Sequence, residues 1–92
     1  MRVIPRVLLV VSLALILNPS PALAQTTEAD VYVAQAVLDF DEKRYDAALA
    51  NLRRALELEP DHVEALYFTG AVHAAQGRPD LAAPFLERAR AK

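Results

Sequence analysis

The side chains in the body of this chain that could do acid–base or metal chemistry are two histidines and a set of carboxylates. His62 and His73 are far apart in sequence and lack the tight spacing of ligand motifs, though Asp39 or Glu64 could in principle complete a site with either. The acids gather as Asp39, Asp41 and Glu42, and again as Glu57, Glu59, Asp61 and Glu64. Paired carboxylates can cleave glycosides, but only inside a cleft that perturbs them. Here they fall at helix ends and on outer faces, so a solvated surface is expected. Nucleophiles are scarcer still. Beyond residue 24 there is no serine or cysteine, and the hydroxyls other than tyrosine are Thr26, Thr27 and Thr69, none with a neighbouring base. No triad can be drawn. The two glycines, Gly70 and Gly77, form no phosphate-cradling loop. The expectation is a non-enzyme with no catalytic residue, no metal site and no cofactor.

The elements that would hold such residues begin after a separate leader. Arg2 and Arg6 precede an apolar run, Val7 to Leu17, interrupted only by Ser12, and Ala22-Leu23-Ala24 closes the segment with a small-x-small pattern. This is the build of a secretory signal peptide over residues 1–24. An eleven-residue helix rises only about 16 Å, roughly half the hydrocarbon thickness of a bilayer, which argues against a membrane span. The absence of cysteine removes a lipid-anchored N-terminus, disulfides and thiolate metal sites. The expected product is exported, periplasmic or secreted. Without the two leader arginines, eight basic and twelve acidic side chains leave a net charge of −4. That balance offers no long-range attraction to nucleic acid or anionic lipid.

The remaining 68 residues repeat with a period of 34. Ala36 falls over Gly70, Ala48 over Ala82, Leu52 over Leu86 and Ala55 over Ala89. Each unit divides into two helical stretches, and no segment alternates with a period of two. Thr27 is a suitable N-cap for a first helix over about 28–42, with Val33, Ala36, Val37 and Phe40 at helical spacing. Lys43 and Arg44 make a turn. A second helix over about 46–59 carries the stripe Ala48, Leu49, Leu52, Ala55 and Leu56, and Pro60 ends it. Asp61-His62-Val63-Glu64 reads as a capping box for a third helix, with Asp61 as the cap and His62 solvated beside it. Gly77 suits the left-handed position after that helix, and Pro79 the first turn of a fourth. Pro84 is expected to remove one hydrogen bond and add a slight kink. Arg53 and Glu57 are spaced to pair, and His73, in register with Asp39, is placed for a polar contact between repeats. The short lead-in 25–28 holds the one stretch expected to be without order, Gln25 to Thr27.

This pattern resembles the tetratricopeptide repeat family, over 29–62 for a first repeat and 63–92 for a second. The likeness is carried by the aromatics Tyr32 and Tyr45, the small residues Ala36 and Gly70, Ala48 and Ala82, Ala55 and Ala89, the turn glycine Gly77, and RALELEP ending at Pro60. Leu66 and Pro79 stand where the family favours aromatics, Lys43 where it favours glycine, and Asp39 and His73 where it often has tyrosine. The resemblance implies an all-α fold of two stacked antiparallel helix pairs, a short right-handed superhelix whose concave face is lined mainly by first helices. Its positions on that face would be Asp30, Val33, Ala34, Val37, Phe40 and Asp41, then Glu64, Tyr67, Phe68, Ala71, Ala74 and Ala75. Some members grip a peptide's terminal carboxylate there with lysine, arginine and asparagine. None of those residues occupies these positions.

The face so placed is apolar with acidic edges, which suits an amphipathic helix or an extended segment with basic flanks. Val33, Val37, Phe40, Tyr67, Phe68 and Ala71 are the candidate partner-binding residues. The same stripe read as core gives the alternative. The second repeat is expected to be incomplete, with no capping helix, and to leave Leu81, Phe85 and Leu86 uncovered, since a stack needs about three units. Two functional readings follow: an exported interaction module in cell-envelope or protein-complex assembly, or a structural, self-associating solenoid or N-terminal fragment of a longer envelope protein with no ligand of its own.

Overall fold

The computed structural model describes residues 25–92. The leader expected over 1–24 lies outside the described residues. Four helices follow one another: α1 (Glu28–Asp41), α2 (Tyr45–Leu58), α3 (Val63–Ala75) and α4 (Pro79–Ala91). The first pair and the second pair each form an antiparallel hairpin, and α3 also packs on α2 and α1. The described residues contain no strand. Helix α3 is apolar nearly all round because it is covered on two sides. Ala65 and Val72 join the core built by repeat 1, while Gly70 faces α4.

Local chemistry sets the boundaries. Thr27 caps α1 through a full capping box: its hydroxyl accepts from the Asp30 amide at 3.2 Å, and its own amide donates to Asp30 Oδ2 at 2.9 Å. The same hydroxyl donates to Glu59 Oε2 at 2.7 Å. Thr27 is therefore fixed, contrary to the disorder expected for it. The box expected at Asp61 is also corrected. His62 is the N-cap of α3, and its Nδ1 accepts from the Ala65 amide at 3.2 Å. The helix starts one residue later than a box from Asp61 to Glu64 requires, and Asp61 instead pairs with Lys92 at 3.3 Å.

The two hairpin turns are the same device built from different residues. After α1, the Arg44 amide donates to the Asp39 carbonyl and Lys43 to Phe40; after α3, Arg78 donates to His73 and Gly77 to Ala74. Both are Schellman motifs, which need a left-handed residue just past the helix. Gly77 takes φ +74° at no steric cost. Lys43 takes φ +62° with a Cβ in the way.

Small residues let the helices approach. Ala29, Ala36, Ala48, Ala55 and Ala65 are almost wholly buried with Val33, Leu52 and Val72. Leu52 alone, with no exposed surface, contributes about 1.5–3 kcal/mol of burial. In repeat 2 the approach is closer. A Cβ on Gly70 would lie 2.6 Å from Leu86 Cδ2 and 3.2 Å from the Ala82 carbonyl oxygen. Pro79 opens α4 at N1, and the helix runs on through Pro84. Proline has no N–H to give the Asp80 carbonyl one turn back.

Candidate interaction surface

The polar residues that drew notice in the sequence are used to hold helices together. Asp39 is the clearest correction, because it is only 3% exposed and so is not a solvated surface acid. Its Oδ1 accepts from Gln35 Nε2 and Arg44 Nη2, both at 3.2 Å, and its Oδ2 from Asn51 Nδ2 at 2.9 Å. This buried carboxylate thereby joins α1, the turn and α2, with its acceptor sites met as burial demands. No Arg53–Glu57 ion pair forms among the described residues; Arg54 instead donates to the Tyr32 hydroxyl at 3.3 Å.

The two histidines are not brought together. His62 is half-buried, with Nε2 2.5 Å from Asp30 Oδ1, so its ring bridges the repeats. It is not the solvated side chain that the sequence suggested. The Asp30 carboxyl is held below its ordinary value, first by the Thr27 amide and then by the His62 hydrogen bond. His73 lies in the last turn of α3, its ring stacked on Phe85 at 5.8 Å. Its Nδ1 is buried with no hydrogen-bond partner among the described residues, so the contact with Asp39 expected from their shared register does not form. No group of three possible metal ligands exists among the described residues.

The six candidate partner-binding residues divide by exposure. Val33 is 3% exposed and packs in the core under α3, which takes it off any accessible face. Val37, Phe40 and Phe68 are half-buried against that core, and Ala71 is half-buried. Tyr67 is 52% exposed. The aromatic rings make a continuous run across the repeats. Phe40 meets Phe68 edge-on at 6.4 Å, and Tyr67 meets Phe68 edge-on at 5.2 Å. Asp41 and Glu64 are exposed at its margins. The stripe is thus core on one side and open on the other.

Sequence reasoning missed the exposure of Val31, Leu38 and Val63. Val31 and Leu38 stand out from α1, and Val63 and Tyr67 from α3 beside Leu86 and Ala89 of α4. Comparing each residue with its counterpart 34 positions away was the signal that could have found it. Of the apolar residues expected to be uncovered on α4, Leu81 and Leu86 are exposed, while Phe85 is half-covered by His73 and by Arg88, whose guanidinium lies 5.9 Å from the ring centre. No helix among the described residues is long and apolar enough to cross a membrane.

Comparison with known proteins agrees with this architecture. A family model described as tetratricopeptide repeat matches residues 33–92. Neither a curated protein nor a solved structure matches. The match takes in α1 from Val33 onward and all of α2, α3 and α4, so that the period, the two Schellman turns and the helix pairing come from one source: the chain belongs to the tetratricopeptide repeat family.

Proposed function

We propose that this chain is an exported adaptor that captures a protein partner through the open side of its aromatic stripe, in cell-envelope or complex assembly. Membership of a repeat family that serves protein–protein interaction supports the general role. The observation that carries the finer reading is the Phe40–Phe68–Tyr67 run, which crosses from one repeat to the next and remains partly open. Val37 and Ala71 extend it. The occupant is an amphipathic segment with basic flanks, because the stripe is apolar, its margins carry Asp41 and Glu64, and residues 25–92 have a net charge of −4. Such a segment buries its apolar side chains on the rings and sets its cations beside the acids. The leader-like residues 1–24 support export.

Selection from a display library of short helical peptides tests this. Enriched sequences are expected to combine an apolar face with lysine or arginine at the ends. Tyr67→Asp is expected to weaken the best of them by about tenfold or more, the loss of one central aromatic contact. Because Tyr67 is 52% exposed, helix content by circular dichroism should be unchanged. Equal binding by that variant, or enrichment of acidic peptides, would overturn the assignment.

A further inference from the structure

The 34-residue translation sets each exposed side chain beside a counterpart in the other repeat. Val31 and Leu38 are 60% and 57% exposed on α1, yet their counterparts on α3, Ala65 and Val72, are fully buried against repeat 1. The other end shows the converse. Val63, Tyr67, Leu86 and Ala89 line an open cleft, while their counterparts Ala29, Val33, Leu52 and Ala55 are at most 3% exposed. The joint between the repeats is made from one surface of each kind. The described residues carry a second, uncovered example of both halves.

We propose that a second copy of this chain stacks head to tail on the first, α1 of one copy seating Val31 and Leu38 on the Val63–Tyr67–Leu86–Ala89 cleft of the other. The contact continues the internal joint, using the same helix faces in the same order, and it covers Tyr67, so stacking and peptide capture compete for that ring. It is heterologous, so it leaves one half free at each end and can propagate.

The match rests on the apolar faces, because the polar residues differ between the two joints. Across the internal joint, Leu56 of α2 shares a cleft of about 350 Å³ with Thr69, His73 and Phe85. The counterparts at the outer joint are Arg90 on one side and Gln35, Asp39 and Asn51 on the other. At the outer joint Arg90, paired with Glu87 at 2.8 Å, would face an Asp39 whose acceptors are already met within its own repeat, so this position adds little attraction. One position opposes stacking. The places of Asp30 and His62 fall to Glu64 and Glu28, two carboxylates with no proton donor between them. The outer joint is accordingly weaker than the inner one, and association is reversible.

The chain is expressed from its full 92-residue sequence, purified as the cell leaves it, and followed by sedimentation velocity over a range of concentrations. Mass is expected to grow past the dimer as concentration rises. Leu38→Glu blocks one half and Val63→Glu the other. Both sites are exposed, and an acid at the first residue of α3 suits a helix N-terminus, so both variants should keep their helix content. Each alone is expected to stay monomeric, and the two mixed should give a one-to-one dimer and nothing larger. Glu28→His should shift assembly to at least about threefold lower concentration by removing the like-charge contact. A wild-type chain that stays monomeric at the highest concentration overturns the proposal. So does growth in either variant alone, or a mixture that fails to dimerise. A monomer in which a thiol introduced by Leu38→Cys resists labelling would show that another segment of the same chain covers α1, and would equally overturn it.

Discussion

Asp39 and His73 occupy the same place in successive repeats and have very different surroundings. Asp39 receives three hydrogen bonds from α1, the turn and α2. His73 has a buried ring nitrogen with none, and its neighbours at the corresponding places, Thr69 and Phe85, do not supply one. Repeat 1 is thus closed by a polar hub, and repeat 2 by a ring stacked on a ring. The helix pairs are held in register by small residues, which both repeats share. What lies between the second halves of the helices is free to differ.

The largest expected effect breaks this comparison at its centre. Asp39→Ala removes the buried acceptor shared by Gln35, Arg44 and Asn51 and leaves the half-buried Asn51 amide without it; it should cost about 1–3 kcal/mol, read as a lower urea midpoint, whereas His73→Leu should cost less than about 1 kcal/mol or stabilise. Equal losses at the two sites would mean that the hub is not what closes repeat 1. Next comes helix approach. Gly70→Ala should destabilise by about 1–2 kcal/mol in the same measurement, because the added carbon meets Leu86 and the Ala82 carbonyl. A neutral result would show that repeat 2 has the same room as repeat 1, where Ala36 fits. The smallest effect sharpens the comparison at the turns. Lys43→Gly should stabilise by roughly 0.5–1 kcal/mol by relieving the left-handed lysine, and Gly77→Ala should lose about as much. Thermal melting of the two variants reads the opposite signs directly.

Much of the fold was legible because it rests on period and punctuation. Pro60 and Pro79 restrict the backbone whatever their neighbours, Gly77 admits the left-handed turn, and the recurrence of Ala48 and Ala82 marks close packing in the sequence itself. The caps were less legible. Asp61 and His62 can both accept a backbone N–H, and the choice fell to His62 because its other nitrogen reaches Asp30 across the joint. That bond links residues 32 apart and has no local signature. The burial of Asp39 was hidden for the same reason, since its partner Asn51 arrives from another helix. The interaction face was half legible. Helical spacing selected Val33 and Tyr67 alike, but only the tertiary position of α3 covers one and leaves the other open.

The amino end of α1 has a mechanical consequence. Thr27 is tied to Glu59 and Asp30 to His62, so the first turn of α1 grips both sides of the Pro60-Asp61 corner. A tug on the segment before Thr27 would not peel α1 away like the end of a tape. It would load the hinge between the two hairpins first, and detachment of α1 and loosening of that hinge should occur as a single event.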